Sequence, residues 1–168
     1  IKYETVHGDA SVPEVREVVF DSRKAVQGTV FNAMKGANVD AHRFIPAVIA
    51  QGCQAIVIEE DPSAFGLELE TVPAEVAIIR VENARASLAA LSAARFDHPS
   101  REMTVIAITG TKGKTTTAHM IQQILEDAGE KVGCIGTTGV EYGGHHLPTK
   151  NTTPESYELQ HYFRMMRD

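Results

Sequence analysis

Basic residues and long apolar runs are scarce in this 168-residue sequence, and each scarcity excludes a class of protein. The 16 lysines and arginines stand against 22 aspartates and glutamates, which gives a formal net charge of −6. Since no basic cluster occurs, the sequence lacks the electrostatic signature of a nucleic-acid-binding protein. No apolar run is long enough to span a bilayer, and no signal peptide is recognisable. We therefore expect a cytoplasmic protein with neither nucleic acid nor a membrane as a partner.

Cysteine is also rare. The two cysteines, Cys53 and Cys134, both lie among apolar neighbours in the sequence. A disulfide and two buried free thiols are both open, and the second fits a reducing cytosol better. The sequence has no internal repeats or low-complexity segments. It starts at Ile1 rather than at a methionine, so we expect that the natural start lies further upstream.

The most informative segment that is present runs from Thr104 to Thr117. β-branched residues at 104–109 predict a strand, a loop with Gly110 and Gly113 follows, and a predicted helix begins near Lys114. This is the order of a phosphate-binding loop, in which backbone N–H groups and the positive end of a helix dipole face the phosphates. Lys114 is then predicted to reach the β- and γ-phosphates, and the Thr115 hydroxyl to hold Mg²⁺.

The loop departs from the general nucleotide-binding pattern, because Ile108 stands where that pattern has its first glycine. A strand–turn–helix corner that uses glycine only for tight packing is the alternative. It leaves the Lys-Thr-Thr-Thr run in the first helical turn unexplained, so we favour nucleotide binding. Apolar residues at helical spacing predict a helix that continues to Ala128, and Gly129 is predicted to end it.

Strand and helix patterns alternate along the chain, which predicts an α/β fold. Strands are predicted at 15–20, 29–34, 54–59, 76–81 and 131–136, and further helices at 41–51, at 83–96 and at the C-terminus. We expect a small α/β N-terminal domain at 1–82, a bridging helix and linker at 83–100, and an incomplete P-loop (Rossmann-like) domain at 101–168.

The segment Asn151-Thr152-Thr153-Pro154-Glu155 precedes the C-terminal helix pattern. Pro154 fits the first helical position, and Thr152 with Glu155 fits a capping box. Capping leaves the second threonine and the asparagine unused at a helix N-terminus that is suited to an anion. Both interpretations stay open.

Two histidine motifs are predicted to have no catalytic role. His145-His146 lies in a glycine-rich turn without a third ligand nearby, so we expect an exposed loop rather than a metal site. His42 is predicted to be a structural hydrogen-bonding residue.

Taken together, the motifs resemble those of a known family, the Mur ligases. The family's N-terminal domain signature is similar to Asp21-Ser22-Arg23, Gly28, Phe31, Ala33, Gly36 and Asp40–Ile45, and its P-loop is similar to Gly110–Thr116. The resemblance is to the MurE type rather than the MurF type in Ile135-Gly136-Thr137, in Asn151–Glu155 and in Leu159-Gln160.

The resemblance implies a fragment of an ATP- and Mg²⁺-dependent ligase of peptidoglycan synthesis. In ligases of this type, the D-Glu carboxylate of UDP-MurNAc-L-Ala-D-Glu is phosphorylated, and the amine of L-lysine or meso-diaminopimelate attacks the acyl phosphate. Phosphorylation is needed because a carboxylate is a poor acyl donor, and the protein contributes positioning and charge neutralisation. Since the family's later catalytic parts are absent here, we expect a fragment that is inactive alone. Its unfinished sheet would leave an exposed apolar edge through which it could associate.

The resemblance also implies roles for individual residues. Lys114 is implied as the catalytic residue and Thr115 as the metal ligand, with Thr137 supporting the second metal or substrate region. The implied ATP-binding residues are Gly110, Thr111, Lys112, Gly113, Lys114, Thr115 and Thr116. The implied UDP-substrate-binding residues are Phe20, Ser22, Asn38, Val39, Asn151, Thr152 and Thr153.

Some of these positions have a plainer explanation or depart from the family. Asp21-Ser22-Arg23 can also be a turn with a surface ion pair. Lys112 replaces the family's usual asparagine, and it either attracts the nucleotide or points to solvent. Asn32 falls where an apolar residue is common.

Two alternatives to a truncated ligase stay open. The first is a stand-alone nucleotide- or UDP-sugar-binding module on the same scaffold. The second is a relative that acts on folate, which shares the P-loop but does not explain the motifs between Asp21 and Phe44.

Overall fold

The computed structural model describes residues 1–11, 13–36, 39–149 and 151–168. The chain divides into two compact units, Ile1–Arg95 and Phe96–Asp168. The division falls within 83–100, and the helix of that segment belongs to the first unit. The functional domain boundaries at 82 and 100 stay a prediction.

The first unit is built on a five-stranded sheet. Its strands are β1 (Tyr3–His7), β2 (Glu17–Val19), β3 (Thr29–Asn32), β4 (Ala55–Ile58) and β5 (Ala77–Val81). They lie in the order β1-β5-β4-β3-β2, with β2 to β5 parallel and β1 antiparallel to β5 at one edge. Every residue of β3 and β4 is buried, as expected for inner strands of a parallel sheet. The predicted α/β fold is confirmed.

Two helices accompany this sheet. The helix predicted at 41–51 is divided into a 3₁₀ turn, Ala41–Phe44, and helix α1, Ile45–Ala50. Helix α2 spans Ala84–Arg95. At its start, the Asn83 side chain accepts a hydrogen bond from the Ala86 amide at 2.8 Å, which satisfies one of the free donors of the first turn. The largest fully buried apolar residues of the core are Phe31, Ile45, Ile56, Ile58 and Ile78.

The second unit contains two helices and a small antiparallel sheet. Its elements are α3 (Lys114–Asp127), β6 (Gly133–Gly136), β7 (Gly139–Tyr142), β8 (His145–Leu147) and α4 (Ser156–Arg167). The three strands pair in sequence order. Helix α3 ends as predicted, because Gly129 adopts a φ of +90° and the Glu130 amide bonds back to the Leu125 carbonyl at 3.0 Å. None of the described helices is both long and apolar enough to cross a membrane.

The predicted strand at 104–109 is wrong. Within the described part of the chain, residues 104–110 have no ladder partner, and Val105 and Ile106 are 51% and 54% exposed. β propensity reflects packing against neighbouring strands, and β6 pairs with β7 instead of with this segment. The β-branched residues therefore lead into the glycine loop without forming a strand.

The predicted start of the C-terminal helix is also wrong. Helix α4 begins at Ser156 with Glu155 at the N-cap position and no side-chain capping bond, so neither Pro154 at the first position nor a capping box from Thr152 is realised. Its other end is held by ion pairs within the second unit, from Arg164 to Asp97 at 2.7 Å and from Arg167 to Glu102 at 2.9 Å.

The histidine pair and the two cysteines were also the subject of predictions. His145 and His146 lie in strand β8 rather than in a loop, and both are exposed. Cys53 and Cys134 are both free thiols, as predicted, but only Cys53 is fully buried and Cys134 is half-buried.

Candidate functional site

The glycine loop of the second unit leads directly into the first turn of α3. Gly113 is the N-cap of α3 with a φ of +79°, a left-handed conformation that favours glycine. The first helical bond runs from the Thr117 amide to the Gly113 carbonyl at 2.9 Å. The amides of residues 114–116 therefore have no acceptor in the helix, and they lie at the positive end of its dipole. This arrangement suits an anion.

Lys114 is folded over the loop. Its Nζ donates to the Gly110 carbonyl oxygen at 2.6 Å, which closes the loop from its first glycine to the first helical residue. The ammonium group is thus held at the loop by one exposed hydrogen bond. A phosphate oxygen can replace that carbonyl oxygen as the acceptor.

Thr115 meets a residue from another element. Its hydroxyl oxygen lies 3.2 Å from the hydroxyl oxygen of Thr137, and both residues are exposed. Thr137 and Thr138 form the two-residue turn between β6 and β7. The structure therefore brings Thr137 to the start of α3, a contact that the sequence spacing does not predict.

The other predicted site residues of the second unit are accessible. Thr111, Lys112 and Thr116 are exposed around the loop. Asn151, Thr152 and Thr153 form an exposed bend ahead of α4 and do not cap that helix by a side chain. Their role in binding a substrate stays a prediction.

In the first unit, the carboxyl ends of the parallel strands bring several predicted residues to one edge. Phe20 and Ser22 follow β2, and Val39 belongs to the loop that follows β3. Phe20 and Ser22 are half-buried, whereas Val39 is 48% exposed. Asn38 lies outside the described residues. Ligands of open α/β sheets commonly bind at this edge.

The turn after β2 contains the ion pair that the plainer explanation proposes. Asp21 caps the 3₁₀ turn Ser22–Lys24, and its Oδ2 lies 2.6 Å from Nη2 of Arg23. The hydrogen bond from the Arg23 side chain lowers the pKa of Asp21 to about 2 against the opposing effect of burial. The pair fixes the turn, and the contact of Ser22 with a substrate stays a prediction.

His42 is fully buried at the same edge, and both of its ring nitrogens are used. Nδ1 lies 2.6 Å from an Asp40 carboxylate oxygen, and Nε2 accepts from the Glu59 amide at 3.2 Å. Since Nε2 is an acceptor, Nδ1 carries the proton that is donated to Asp40. Burial would raise the pKa of Asp40, but the backbone and ring hydrogen bonds from His42 outweigh it and lower the pKa. These contacts connect the loop after β3 with the end of β4.

Asn32 contributes a polar group to the core. Its Nδ2 donates to the Ala84 carbonyl at 3.0 Å, and its buried Oδ1 has no hydrogen-bond partner among the described residues. The hydrogen bond joins the end of β3 to the start of α2 and explains why a polar residue is tolerated there.

No group of three or more His, Cys, Asp or Glu side chains within the described part of the chain is arranged to hold a metal ion. The exposed His146 pairs with Glu141 at 3.4 Å instead. At the glycine loop, the exposed Thr115 hydroxyl is an oxygen donor of the kind that Mg²⁺ takes.

A helix that begins with Lys114 and Thr115 behind a glycine loop is the arrangement typical of P-loop nucleotide-binding proteins. Comparison with protein families makes this specific. Residues 14–96 match the model described as Mur ligase family, catalytic domain, and residues 108–168 match the Mur ligase middle domain. The chain belongs to the Mur ligase family.

Individual relatives agree. The chain is 38% identical, over all of its 168 residues and 33% of the relative, to the UDP-N-acetylmuramoyl-L-alanyl-D-glutamate–2,6-diaminopimelate ligase of Clostridium perfringens. It is 36% identical to the ligase of the same name from Bacillus velezensis, over 98% of this chain and 32% of that protein. The chain spans about a third of the length of these curated relatives.

A solved structure carries the same fold. The structure of a UDP-N-acetylmuramoyl-L-alanyl-D-glutamate–2,6-diaminopimelate ligase superposes with a TM-score of 0.61 over 91% of this chain and 29% of that protein, at 20% identity.

Proposed function

We propose that the chain is the part of a UDP-MurNAc-L-Ala-D-Glu–diamino acid ligase that holds the ATP phosphates and the UDP-linked substrate. The observation that carries the proposal is the lysine and threonine at the start of α3, behind a left-handed glycine, in a chain similar throughout its length to ligases of that name. Diaminopimelate is the proposed diamino acid, because the similar ligases are named for it.

The residues present fit a magnesium–nucleotide complex. The free amides of residues 114–116 and the Lys114 ammonium are donors for phosphate oxygens, and the exposed Thr115 hydroxyl is an oxygen ligand of the kind that Mg²⁺ takes. Gly110, Thr111, Lys112 and Gly113 complete the loop, with Lys112 exposed as a second cation beside it. ATP, when bound, supplies the phosphoryl group that activates the substrate carboxylate.

The proposed task of these residues is positioning and charge neutralisation. Lys114 exchanges the Gly110 carbonyl for a phosphate oxygen, and the amides orient the phosphates at the helix N-terminus. Charge that develops on the transferred group is stabilised by donors that the fold has already positioned. The D-Glu carboxylate would accept the γ-phosphoryl group with ADP as the leaving group. The diamino acid amine would then attack the acyl phosphate, so that an amide bond forms and inorganic phosphate leaves.

Two separate groups of residues are proposed for the UDP-linked substrate. Phe20, Ser22, Asn38 and Val39 would contact the UDP part, in agreement with the general use of the carboxyl edge of a parallel sheet. Asn151, Thr152 and Thr153 would contact the sugar, diphosphate and peptide part, and their exposure leaves their polar groups accessible. Because ATP and UDP-linked precursors are cytoplasmic, we propose that the protein works there.

Self-association is proposed for an exposed apolar surface of the second unit. Val105 and Ile106 on the unpaired segment, and Met120 and Ile124 on α3, are all more than half exposed. Exposed apolar surface of this kind favours contact with another protein surface.

A binding module without ligase activity is the second candidate. Such a module would bind the nucleotide and the UDP-sugar but would not consume ATP.

Ligation by the complete product of the gene separates the two candidates. The protein is incubated with ATP, Mg²⁺, UDP-MurNAc-L-Ala-D-Glu and either diaminopimelate, L-lysine or D-Ala-D-Ala, and both phosphate release and product mass are measured. We expect phosphate release that requires diaminopimelate, and a loss of at least about 100-fold in Lys114→Ala, since lost electrostatic stabilisation of the transition state typically has that effect.

The matched control is Lys131→Ala, which removes an exposed lysine of the second unit beyond the far end of α3. It is expected to keep most of the activity. Binding of both substrates without phosphate release would identify the module instead, and full activity in Lys114→Ala would contradict the proposed site.

A further inference from the structure

We propose that Thr137 is a positioning residue that accepts the hydroxyl proton of Thr115 and so aims a lone pair of the Thr115 oxygen at the nucleotide-bound Mg²⁺. The inference rests on the proposed function. The inference assigns a role to the turn between β6 and β7, which contains Thr137 and lies outside the glycine loop.

The contact itself is specific. The two hydroxyl oxygens are 3.2 Å apart, and Thr115 is in the first turn of α3 while Thr137 comes from the hairpin. Either hydroxyl can be the donor while no metal is bound. The hydrogen bond thus has two directions, and a ligand can select one of them.

A metal selects the direction in which Thr115 donates. A hydroxyl that gives a lone pair to Mg²⁺ has its proton directed away from the cation, and that proton needs an acceptor. Thr137 Oγ1 is within hydrogen-bond distance and is uncharged, so it accepts without adding a negative charge beside the phosphates. Groups that orient a metal ligand in this way commonly change metal affinity when they are removed.

The hairpin holds Thr137 in place. Gly139, which begins β7, has a φ of +121°, and a side chain there would overlap the Leu147 carbonyl oxygen of β8. The Thr149 hydroxyl also donates to the Gly136 carbonyl at 3.5 Å, next to Thr137. The position of the acceptor is therefore set by backbone packing rather than by the side chain alone.

Thr137→Val tests the role, because valine keeps the shape and removes the hydroxyl. Binding of a fluorescent ADP analogue to the 168-residue chain is measured with Mg²⁺ and with a chelator, and Mn²⁺ binding to the nucleotide complex is measured by electron paramagnetic resonance. We expect the gain in nucleotide affinity caused by Mg²⁺ to fall by about 10-fold in the variant, as for other groups that orient a metal ligand. Binding without metal is expected to be unchanged.

Three further variants separate positioning from structural support. Thr137→Ser keeps the hydroxyl and is expected to restore the Mg²⁺ gain. Thr138→Val alters the exposed neighbour in the same turn and is expected to behave as the unaltered chain. In Thr115→Val the Mg²⁺ gain is already lost, and adding Thr137→Val is expected to have no further effect.

The outcomes distinguish this inference from the proposed function. An unchanged Mg²⁺ gain in Thr137→Val, or an equal loss with and without metal, would overturn the role of Thr137 while leaving nucleotide binding intact. Absence of nucleotide binding by the folded, unaltered chain under both conditions would overturn the proposed function and the inference with it. If Thr137→Val does not fold, the serine variant decides, since loss of its Mg²⁺ gain would contradict the role.

Discussion

Replacing His42 by alanine should destabilise the first unit strongly, because this side chain is structural. The ring is fully buried, 5.0 Å from the ring of Phe65 between centroids, and it bridges Asp40 and the Glu59 amide. Its removal leaves a cavity and takes away the acceptor of a part-buried N–H group.

The size of the effect follows from these two losses. Removing a fully buried side chain of this size costs about 2–4 kcal/mol with the cavity included. The Glu59 amide without its acceptor adds about 1 kcal/mol, since the site lies close enough to the surface for partial hydration. Asp40 keeps its bond to the His42 amide, so its carboxylate adds little. We expect a total loss of about 3–5 kcal/mol in the free energy of unfolding of the first unit.

Urea unfolding followed by far-ultraviolet circular dichroism measures this loss, because the sequence contains no tryptophan for fluorescence. Amide hydrogen exchange in β3 and β4 assigns it to the first unit. His145→Ala is the matched control, since it removes an exposed imidazole, and it should change stability by less than about 0.5 kcal/mol. A loss below about 1 kcal/mol in His42→Ala would refute the structural role derived from these contacts.

Two further predictions concern ionisable side chains. Burial raises the pKa of Cys134, and the negative charge of Glu141 raises it further. The substitution Glu141→Gln should therefore lower this pKa and speed the alkylation of Cys134 at neutral pH. Mass spectrometry measures the alkylation rate, and an unchanged rate would contradict the influence of Glu141. The pKa of Asp21 falls from its usual 3.8 to about 2 in the fold, where the Arg23 side chain favours the ionised form. Its stabilising contribution is therefore complete above pH 3.8 and is lost as the pH falls through about 2. The difference in unfolding free energy between the unaltered chain and Asp21→Asn should shrink over that range in urea titrations, and a constant difference would show that the pair does not favour the ionised carboxylate.

Each experiment has an internal control. Cys53 is fully buried and should stay unmodified while Cys134 reacts, so reaction of both thiols would indicate unfolding rather than a pKa effect. For Asp21, the substitution Arg23→Gln removes the partner that favours the ionised carboxylate. It should therefore reduce the same pH dependence, since the arginine itself does not titrate in this range.

The sequence predicts the four parallel strands of the first unit because their signals are local, whereas the antiparallel edge strand β1 was not predicted. The buried strands β3 and β4 appear as apolar segments between turn residues, and Gly129 ends α3 by adopting the left-handed conformation for which glycine is suited. The glycine loop is also a local signal, because Gly113 and Lys114 are neighbours in the sequence and lie at the N-cap and the first position of α3.

The misses depend on contacts between distant residues. Strand formation at 104–109 needs a neighbouring strand, and β propensity alone does not supply one. The contact between Thr115 and Thr137 depends on where the hairpin meets α3, and the bond from the Glu59 amide to His42 depends on the register of β3 and β4. No regular spacing of residues in the sequence predicts either of these two contacts. The start of α4 was misplaced because a capping box describes a preference, and here the helix begins two residues after Pro154.

An ¹⁵N-amide NMR titration of the chain tests the central claim most directly. ADP with Mg²⁺ is added first, and UDP-MurNAc-L-Ala-D-Glu second. The account predicts shifts of the amides of residues 110–116 with the nucleotide, and of Ser22, Val39 and residues 151–153 with the UDP-linked dipeptide. A well-dispersed spectrum in which these amides stay unchanged at millimolar concentrations of both ligands would contradict it.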